Sequence, residues 1–233
     1  MKANFRRLEL LGRGSYGEVF KAEWNGQLVA VKELHESLWR ADDMAGPNSK
    51  GYVAQFQAEC SVLEKLDHKN VVKLLKFEIS NSSPPQLITE LLDCDLGRHI
   101  TSLQPDKIPF PEAVSIMSDV AEGLAYLHEL NPPIVHRDLA CKNILLTREK
   151  QAKIADLGLA KVFPRNEKAM YASPVPGTPV YVAPETFPAT HGYANAPNKV
   201  EYDARIDVFS YGVILMAVIN GSLPVPKDPF TKG

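Results

Sequence analysis

A glycine cluster, GRGSYG, constrains the fold more than any other feature, because it lies between two segments of alternating polarity. FRRLELL precedes it, and EVFKAEW follows it with residues 19, 21 and 23 on one side and 20, 22 and 24 on the other. Alternation at period two predicts strands on both sides. A dinucleotide-binding loop instead opens a helix. The cluster therefore predicts a hairpin, either a plain flexible turn or a loop whose backbone amides approach phosphate oxygens.

Further strands and one helix follow the hairpin. Asn25-Gly26 predicts a tight turn into a third strand, QLVAVKEL, and NVVKLLKFEI and PQLITELL predict two more. Residues 52–66 carry apolar side chains at 53, 56, 60 and 63, which is the spacing of an amphipathic helix. The polar stretch before this helix predicts a surface loop, with a partner-docking insertion as the alternative.

Beyond residue 92 the pattern is mainly helical, so the chain is predicted to divide near residue 93. Residues 110–130 have apolar residues at helical spacing, and residues 205–220 contain YGVILMAVI. That apolar run is far too short to span a membrane, which favours a buried core helix.

Bulk composition excludes several classes of protein. The net charge of −2 gives no basic bias toward nucleic acid or an anionic membrane. The three cysteines are scattered, which favours reduced thiols in a reducing compartment and predicts a cytoplasmic location. MKANFRRLELLGRG has no long apolar core, so no signal peptide is predicted.

Five motifs in order carry a resemblance to the protein kinase family. They are GRGSYG, VAVK ending at Lys32, HRDLACKN at 136–143, DLG at 156–158 and APE at 183–185. The resemblance covers nearly the whole chain. Within the family, the sequence is most similar to the tyrosine-kinase-like group. It implies an α+β fold of two lobes. Residues 1–92 would form a five-stranded antiparallel sheet with one helix, and residues 93–233 a mainly helical lobe lacking the family's last helices.

The resemblance also implies ATP and Mg²⁺, with a role for each matching residue. Lys32 would contact the α- and β-phosphates and pair with Glu59, although a surface lysine and a solvated glutamate are the plain alternatives. Asp138 would face the substrate hydroxyl, with Lys142 adding positive charge near the transferred phosphate. Asn143 and Asp156 would hold Mg²⁺. The residues implied around the nucleotide are Leu11, Gly12, Gly14, Gly17, Val19, Ala30, Lys32, Thr89, Glu90, Leu92, Asp95 and Leu145.

Asp95 also fits a simple helix N-cap. By the same resemblance His136 is a packing residue, and Asp207 is a buried anchor for the catalytic loop. Arg137 would meet a phosphate on the activation segment at Ser173 or Tyr171, placed there by an upstream kinase or by trans-autophosphorylation. A constitutive ion pair to a carboxylate is the alternative.

The acceptor hydroxyl is indicated by two conflicting features. Ala140 and Lys142 follow the pattern of many receptor tyrosine kinases, whereas GTPVYVAPE resembles the serine/threonine form, in which Thr178 hydrogen-bonds Asp138. The second feature shapes the acceptor pocket, so a serine/threonine kinase acting on a protein substrate is predicted. A dual-specificity or tyrosine kinase and a truncated, non-catalytic ATP-binding module are the alternatives.

By the same resemblance, Glu185 is expected to pair with an arginine in later helices of the family, and this sequence shows no such helices. The sequence therefore predicts an uncompensated buried charge costing roughly 3–5 kcal/mol. Part of the apolar helix 205–220 is also expected to lose its cover.

Overall fold

The computed structural model describes residues 5–14, 16–45, 51–80, 82–162, 170–172, 178–186 and 200–225. These residues form two compact units, one within Met1–Leu92 and one within Asp93–Gly233. None of the helices in these ranges combines the length and the apolar character that a membrane span requires.

The first unit is a twisted sheet with two helices. Its elements are β1 (Phe5–Arg13), β2 (Gly17–Trp24), β3 (Gln27–Leu34), α1 (Glu36–Ala45), α2 (Tyr52–Leu63), β4 (Leu74–Ser80) and β5 (Ser83–Glu90). The five strands pair antiparallel in the order β1-β2-β3-β5-β4, which confirms the predicted sheet. Asn25 and Gly26 both have positive φ between paired Trp24 and Gln27, as a two-residue hairpin turn requires.

Strand register places different residue types on the two faces of this sheet. One face buries Ala22, Val29, Val31 and Ile88 in an apolar cluster. Paired residues point to the same side, and next-but-one residues in a strand do so too. The Val19–Lys32 and Ala30–Thr89 pairs therefore lie on the opposite face.

Residues 36–45 correct the prediction of a loop between β3 and α2, because they form helix α1. Leu38 and Trp39 are half-buried, and α1 packs against α2 and β5. Glu36 and Arg40 lie one turn apart and form an exposed ion pair at 2.5 Å. Tertiary contact on a narrow apolar stripe stabilises a helix whose overall composition is polar.

The second unit is mainly helical. Its elements are β6 (Cys94–Asp95), α3 (Leu96–Ser102), α4 (Phe110–Glu129), β7 (Ile134–Val135), β8 (Ile144–Leu146), β9 (Ala152–Ile154), β10 (Lys161–Val162), β11 (Met170–Ala172), β12 (Val200–Tyr202) and α5 (Arg205–Asn220). Short strands pair as β6-β8-β9, β10-β7 and β11-β12. The predicted helices at 110–130 and 205–220 are both present.

Helix α5 is only partly the buried core helix that its sequence predicts. Ile206, Asp207, Ile214 and Val218 are among the residues of its buried face. On the other side are exposed apolar side chains: Val208, Phe209, Met216 and Ile219. Among the described residues, α5 therefore has one buried face and one exposed apolar face.

Glu185 departs from its prediction. It lies in a short 3-10 turn, Pro184–Thr186, and its side chain is exposed. A carboxylate in water needs no partner to stay charged, so the expected penalty for a buried charge does not apply. Ala183, two residues earlier, packs with Val135, Tyr202 and Ile206 in a small apolar cluster.

Candidate active site

In the first unit, Lys32 and Glu59 form the central ion pair. Nζ of Lys32 lies 2.9 Å from Oε1 and 3.0 Å from Oε2 of Glu59. Glu59 is 5% exposed, on the face of α2 that also buries Phe56, Cys60 and Leu63. A carboxylate so buried requires a partner, and Lys32 on β3 supplies it. The partially exposed ammonium keeps the capacity to meet a second anion.

Cys60 lies beside this pair and is fully buried. Burial, reinforced by the adjacent charge of Glu59, raises the pKa of its thiol to about 12. The thiol therefore stays neutral near physiological pH and adds no negative charge beside Glu59.

The glycine cluster is held between β1 and β2 as a hairpin. Gly12 pairs with Val19, and Val19 pairs in turn with Lys32. These three residues therefore occupy neighbouring positions across β1, β2 and β3. Leu11 lies at a register shift in β1. A Cβ on Gly17 would lie 2.1 Å from the carbonyl oxygen of Glu33, so only glycine allows this approach to β3.

Three of the residues implied around the nucleotide, Thr89, Glu90 and Leu92, lie at the end of β5 or just beyond it. Thr89 pairs with Ala30, which places both on the face that carries Lys32. The backbone N–H of Glu90 donates to the carbonyl of Lys73, and its Oε1 accepts from the Lys73 amide. The backbone N–H of Glu90 is therefore already engaged by Lys73. Leu92 is half-buried at the end of this unit.

In the second unit, Asp138 receives contacts from three residues on both oxygens. Its Oδ1 accepts from the backbone N–H of Thr178 at 3.0 Å and from the Thr178 hydroxyl at 3.2 Å. Its Oδ2 accepts from Nδ2 of Asn143 at 3.1 Å and lies 3.3 Å from Nζ of Lys142. The predicted hydrogen bond from Thr178 is therefore present. These donors fix the orientation of the carboxylate and stabilise its negative charge.

Asn143 and Asp156 lie at the same end of the β8–β9 hairpin. Ile144 pairs with Ile154, and the next residue, Ala155, donates its N–H to the carbonyl of Asn143. Nδ2 of Asn143 donates to the carboxylate and the carbonyl of Asp138, so a cation could use only its side-chain oxygen. Asp156 is exposed and has the left-handed φ of 60°. Amide and carboxylate oxygens are hard ligands, so these residues fit Mg²⁺.

Asp207 organises the backbone that leads into Asp138. Its carboxylate accepts the N–H of His136 at 2.8 Å and that of Arg137 at 2.9 Å, and it lies 2.8 Å from Nε2 of His128. Arg137 has a φ of 71°, which is strained for a residue with a side chain. The two hydrogen bonds from backbone N–H groups to Asp207 stabilise that conformation. Sequence reasoning identified Asp207 but missed His128, whose only signal is a polar residue within the apolar AYLHEL.

His136 connects the segment that carries Asp138 to the segment that carries Asp156. The ring is fully buried, and Nε2 lies 3.0 Å from the carbonyl oxygen of Ala155, immediately before Asp156. Because a carbonyl only accepts, Nε2 carries the hydrogen. Nδ1 accepts the N–H of Asp138 at 3.3 Å. This arrangement agrees with packing and alignment rather than proton transfer.

Arg137 is 8% exposed, and its guanidinium carbon lies 5.6 Å from the ring centroid of Tyr202. Burial lowers the pKa of this guanidinium. The ring of Tyr202 therefore stabilises the guanidinium of Arg137 by a cation–π contact, which the sequence did not predict. Tyr171 lies in β11, and Ser173 falls outside the described residues.

Asp95 caps helix α3, where its Oδ1 accepts the N–H of Arg98 at 2.9 Å. The plain alternative for this residue is therefore present in the structure. Asp95 also pairs with Leu145 across β6 and β8, so the two predicted nucleotide contacts of this unit are adjacent.

Comparison with known proteins agrees with this geometry. A family model for the protein kinase domain matches residues 5–232. The leucine-rich repeat receptor-like serine/threonine/tyrosine-protein kinase SOBIR1 of Arabidopsis thaliana is 35% identical over 227 residues, covering 93% of the chain and 34% of that protein. The probable serine/threonine-protein kinase PBL26 of the same plant is 34% identical over 235 residues, covering 97% of the chain and 51% of that protein.

A probable serine/threonine-protein kinase of Dictyostelium discoideum is 32% identical over 230 residues, covering 96% of the chain. The chain spans only 20% of that relative's length, and about a third and a half of the other two.

Proposed function

Since the chain belongs to the protein kinase domain family, we propose that it transfers the γ-phosphate of ATP to serine and threonine hydroxyls of protein substrates. The observation that carries this proposal is the environment of Asp138. Its carboxylate lies within hydrogen-bonding distance of Thr178 and Asn143, and 3.3 Å from the ammonium of Lys142. Phosphoryl transfer depends on such positioning and charge stabilisation more than on covalent chemistry.

Asp138 would orient the incoming hydroxyl and accept its proton. Oδ1 accepts two hydrogen bonds from Thr178, and Oδ2 accepts one from Asn143 beside the ammonium of Lys142, so both oxygens are held in position for the incoming hydroxyl. Thr178 lies in the segment that resembles the serine/threonine acceptor loop. Contact between the two residues thus aligns the base with the hydroxyl that the loop presents.

Lys32 and Lys142 would stabilise the phosphate charge. Glu59 fixes the position of the Lys32 ammonium, and that ammonium would contact the α- and β-phosphates. Lys142 is 58% exposed at its side chain, close to Asp138, where it would meet the transferred group. Asn143 and Asp156 would hold Mg²⁺, which supplies charge neutralisation to the phosphate oxygens when bound.

Replacement of Asp138 tests this proposal. We expect Asp138→Asn to lower phosphate transfer from ATP to a generic protein substrate by about 10²–10⁴-fold, the usual contribution of a positioned base. Asp106→Asn is the matched control, because that carboxylate is exposed. Full transfer by the Asp138 variant would show that a contaminating kinase produced the signal or that the assignment is wrong.

Dual specificity is the second candidate. Ala140 and the nearby Lys142 follow a tyrosine-kinase pattern, and the name of the relative SOBIR1 includes tyrosine. Matched peptides that differ only in Ser, Thr or Tyr at the acceptor position separate the two candidates. Transfer to the tyrosine peptide at a comparable kcat/KM would favour dual specificity.

We also propose a switch by phosphorylation of Ser173 or Tyr171, through an upstream kinase or trans-autophosphorylation. The buried, charged Arg137 beside the catalytic segment supports it, because a phosphate would form charge-assisted hydrogen bonds there. The double replacement of Ser173 by Ala and Tyr171 by Phe is expected to lower activity sharply. The wild-type protein is first shown to be phosphorylated. If the double variant is then as active as this wild type, the switch is refuted.

The proposed setting is the cytoplasm, where thiols stay reduced. Cys60, Cys94 and Cys141 are all free, which supports this proposal.

A further inference from the structure

His35 connects the glycine cluster to helix α1. It lies between β3 and α1, and its backbone N–H donates to the carbonyl of Tyr16 at 3.0 Å. Its ring Nε2 lies 3.0 Å from the carbonyl oxygen of Gly14. Its own carbonyl accepts the N–H groups of Leu38 and Trp39 in the first turn of α1, both at 3.0 Å. One residue therefore contacts the loop twice and begins the helix.

The tip of the loop has two further contacts. The ring centroid of Tyr16 lies 6.0 Å from that of Tyr52, the first residue of α2. Within the loop, Gly14 donates its N–H to the carbonyl of Gly17 at 2.8 Å. We call Gly14, Tyr16, His35 and Tyr52 the loop clasp. The clasp joins the glycine cluster to the starts of both helices.

The chemistry of the ring bond fixes its direction. A carbonyl oxygen only accepts, so Nε2 of His35 must carry the hydrogen. A side chain that places a donor where Nε2 lies can replace it. Glutamine has its amide nitrogen at a similar distance from Cα, whereas the asparagine amide is shorter and matches only Nδ1.

We propose that His35 is a positioning residue that holds the glycine cluster in a conformation ready for the phosphates of ATP. Because the clasp also contacts α1 and α2, it couples the loop to the helix that carries Glu59. Holding a loop in its binding conformation removes the entropy cost of ordering it when the ligand binds. The benefit to ATP rests on the proposed function, whereas the clasp itself does not.

Two variants of His35 test the clasp without nucleotide. We expect His35→Asn to speed hydrogen exchange of the Gly14 amide and of the amide at position 35 by about three- to tenfold, as loss of one net hydrogen bond allows. His35→Gln should exchange within about twofold of the wild type, because its amide still reaches the Gly14 carbonyl. Equal exchange in all three proteins would overturn the proposal.

The same variants test the consequence for ATP. His35→Asn is expected to raise the KM for ATP about three- to tenfold with little change in kcat, and His35→Gln to restore it. A purely structural role would lower the unfolding temperature of His35→Asn while leaving this KM unchanged, and that result would refute the positioning role. If the wild type neither binds ATP nor transfers phosphate, the proposed function fails, while hydrogen exchange still decides whether the clasp exists.

Discussion

At the scale of single residues, Asp207 shows how one buried carboxylate can organise a reactive segment. It is fully buried, yet both oxygens accept hydrogen bonds from backbone amides, and His128 lies against one of them. A buried charge is tolerated only when it is satisfied in this way. The same bonds stabilise the strained backbone of Arg137, the residue directly before Asp138.

We expect Asp207→Asn to lower the free energy of unfolding by about 1–3 kcal/mol, because its amide group would face backbone donors and leave one of them unsatisfied. Asp203→Asn is the matched control on the preceding turn. Its partner Arg205 is 85% exposed at the side chain, so that change should cost less than about 1 kcal/mol. Urea denaturation measures both, and equal losses would contradict the anchoring role.

Residue-level contacts were predictable where a motif fixed the geometry. The Lys32–Glu59 pair and the Thr178–Asp138 bond both followed from the resemblance, and both are present. The contacts of His35 were not predictable, because its partners are backbone groups and leave no trace in the residue types around it. The occupied amide of Glu90 was missed for the same reason.

At the scale of elements, apolar periodicity predicted strands and helices that bury a wide face. The helix predicted at 110–130 ends one residue earlier in the structure, and α5 has the predicted limits. α1 was missed because polar residues dominate its sequence and its contacts with α2 and β5 stabilise it. The fourth strand begins at Leu74, after residues that the continuous apolar pattern had included.

The closeness of β2 and β3 leads to a prediction about this sheet. Gly17→Ala is expected to destabilise the protein by about 1–3 kcal/mol, because its methyl group would overlap the carbonyl of Glu33 and push the strands apart. Gly12→Ala is the control, since a Cβ there meets no atom within 4 Å. Thermal unfolding compares the two, and equal stability would show that the strands can move apart freely.

At the scale of the whole molecule, ligand binding should raise stability, because ATP is expected to bind only the folded chain. At about one hundred times the dissociation constant, Mg²⁺-ATP is expected to add about 2.7 kcal/mol to the free energy of unfolding. Chelation with EDTA should remove most of that gain. Asp156→Asn should lose the Mg²⁺-dependent part while keeping the smaller metal-free shift. An Asp156→Asn variant that keeps the full EDTA-sensitive gain in stability would exclude Asp156 as a metal ligand.

The reach of Asp207 along the chain has a consequence for protein synthesis. The backbone N–H groups that donate to it, on Arg137 and His136, are 70 and 71 positions earlier, and His128 is 79 positions earlier. The segment that carries Asp138 therefore leaves the ribosome several seconds before Asp207, since synthesis proceeds at about 5–20 residues per second. During those seconds the nascent chain contains Asp138 but lacks the hydrogen bonds that Asp207 forms with the preceding backbone. We expect the nascent chain to have no phosphate-transfer activity until α5 has left the ribosome.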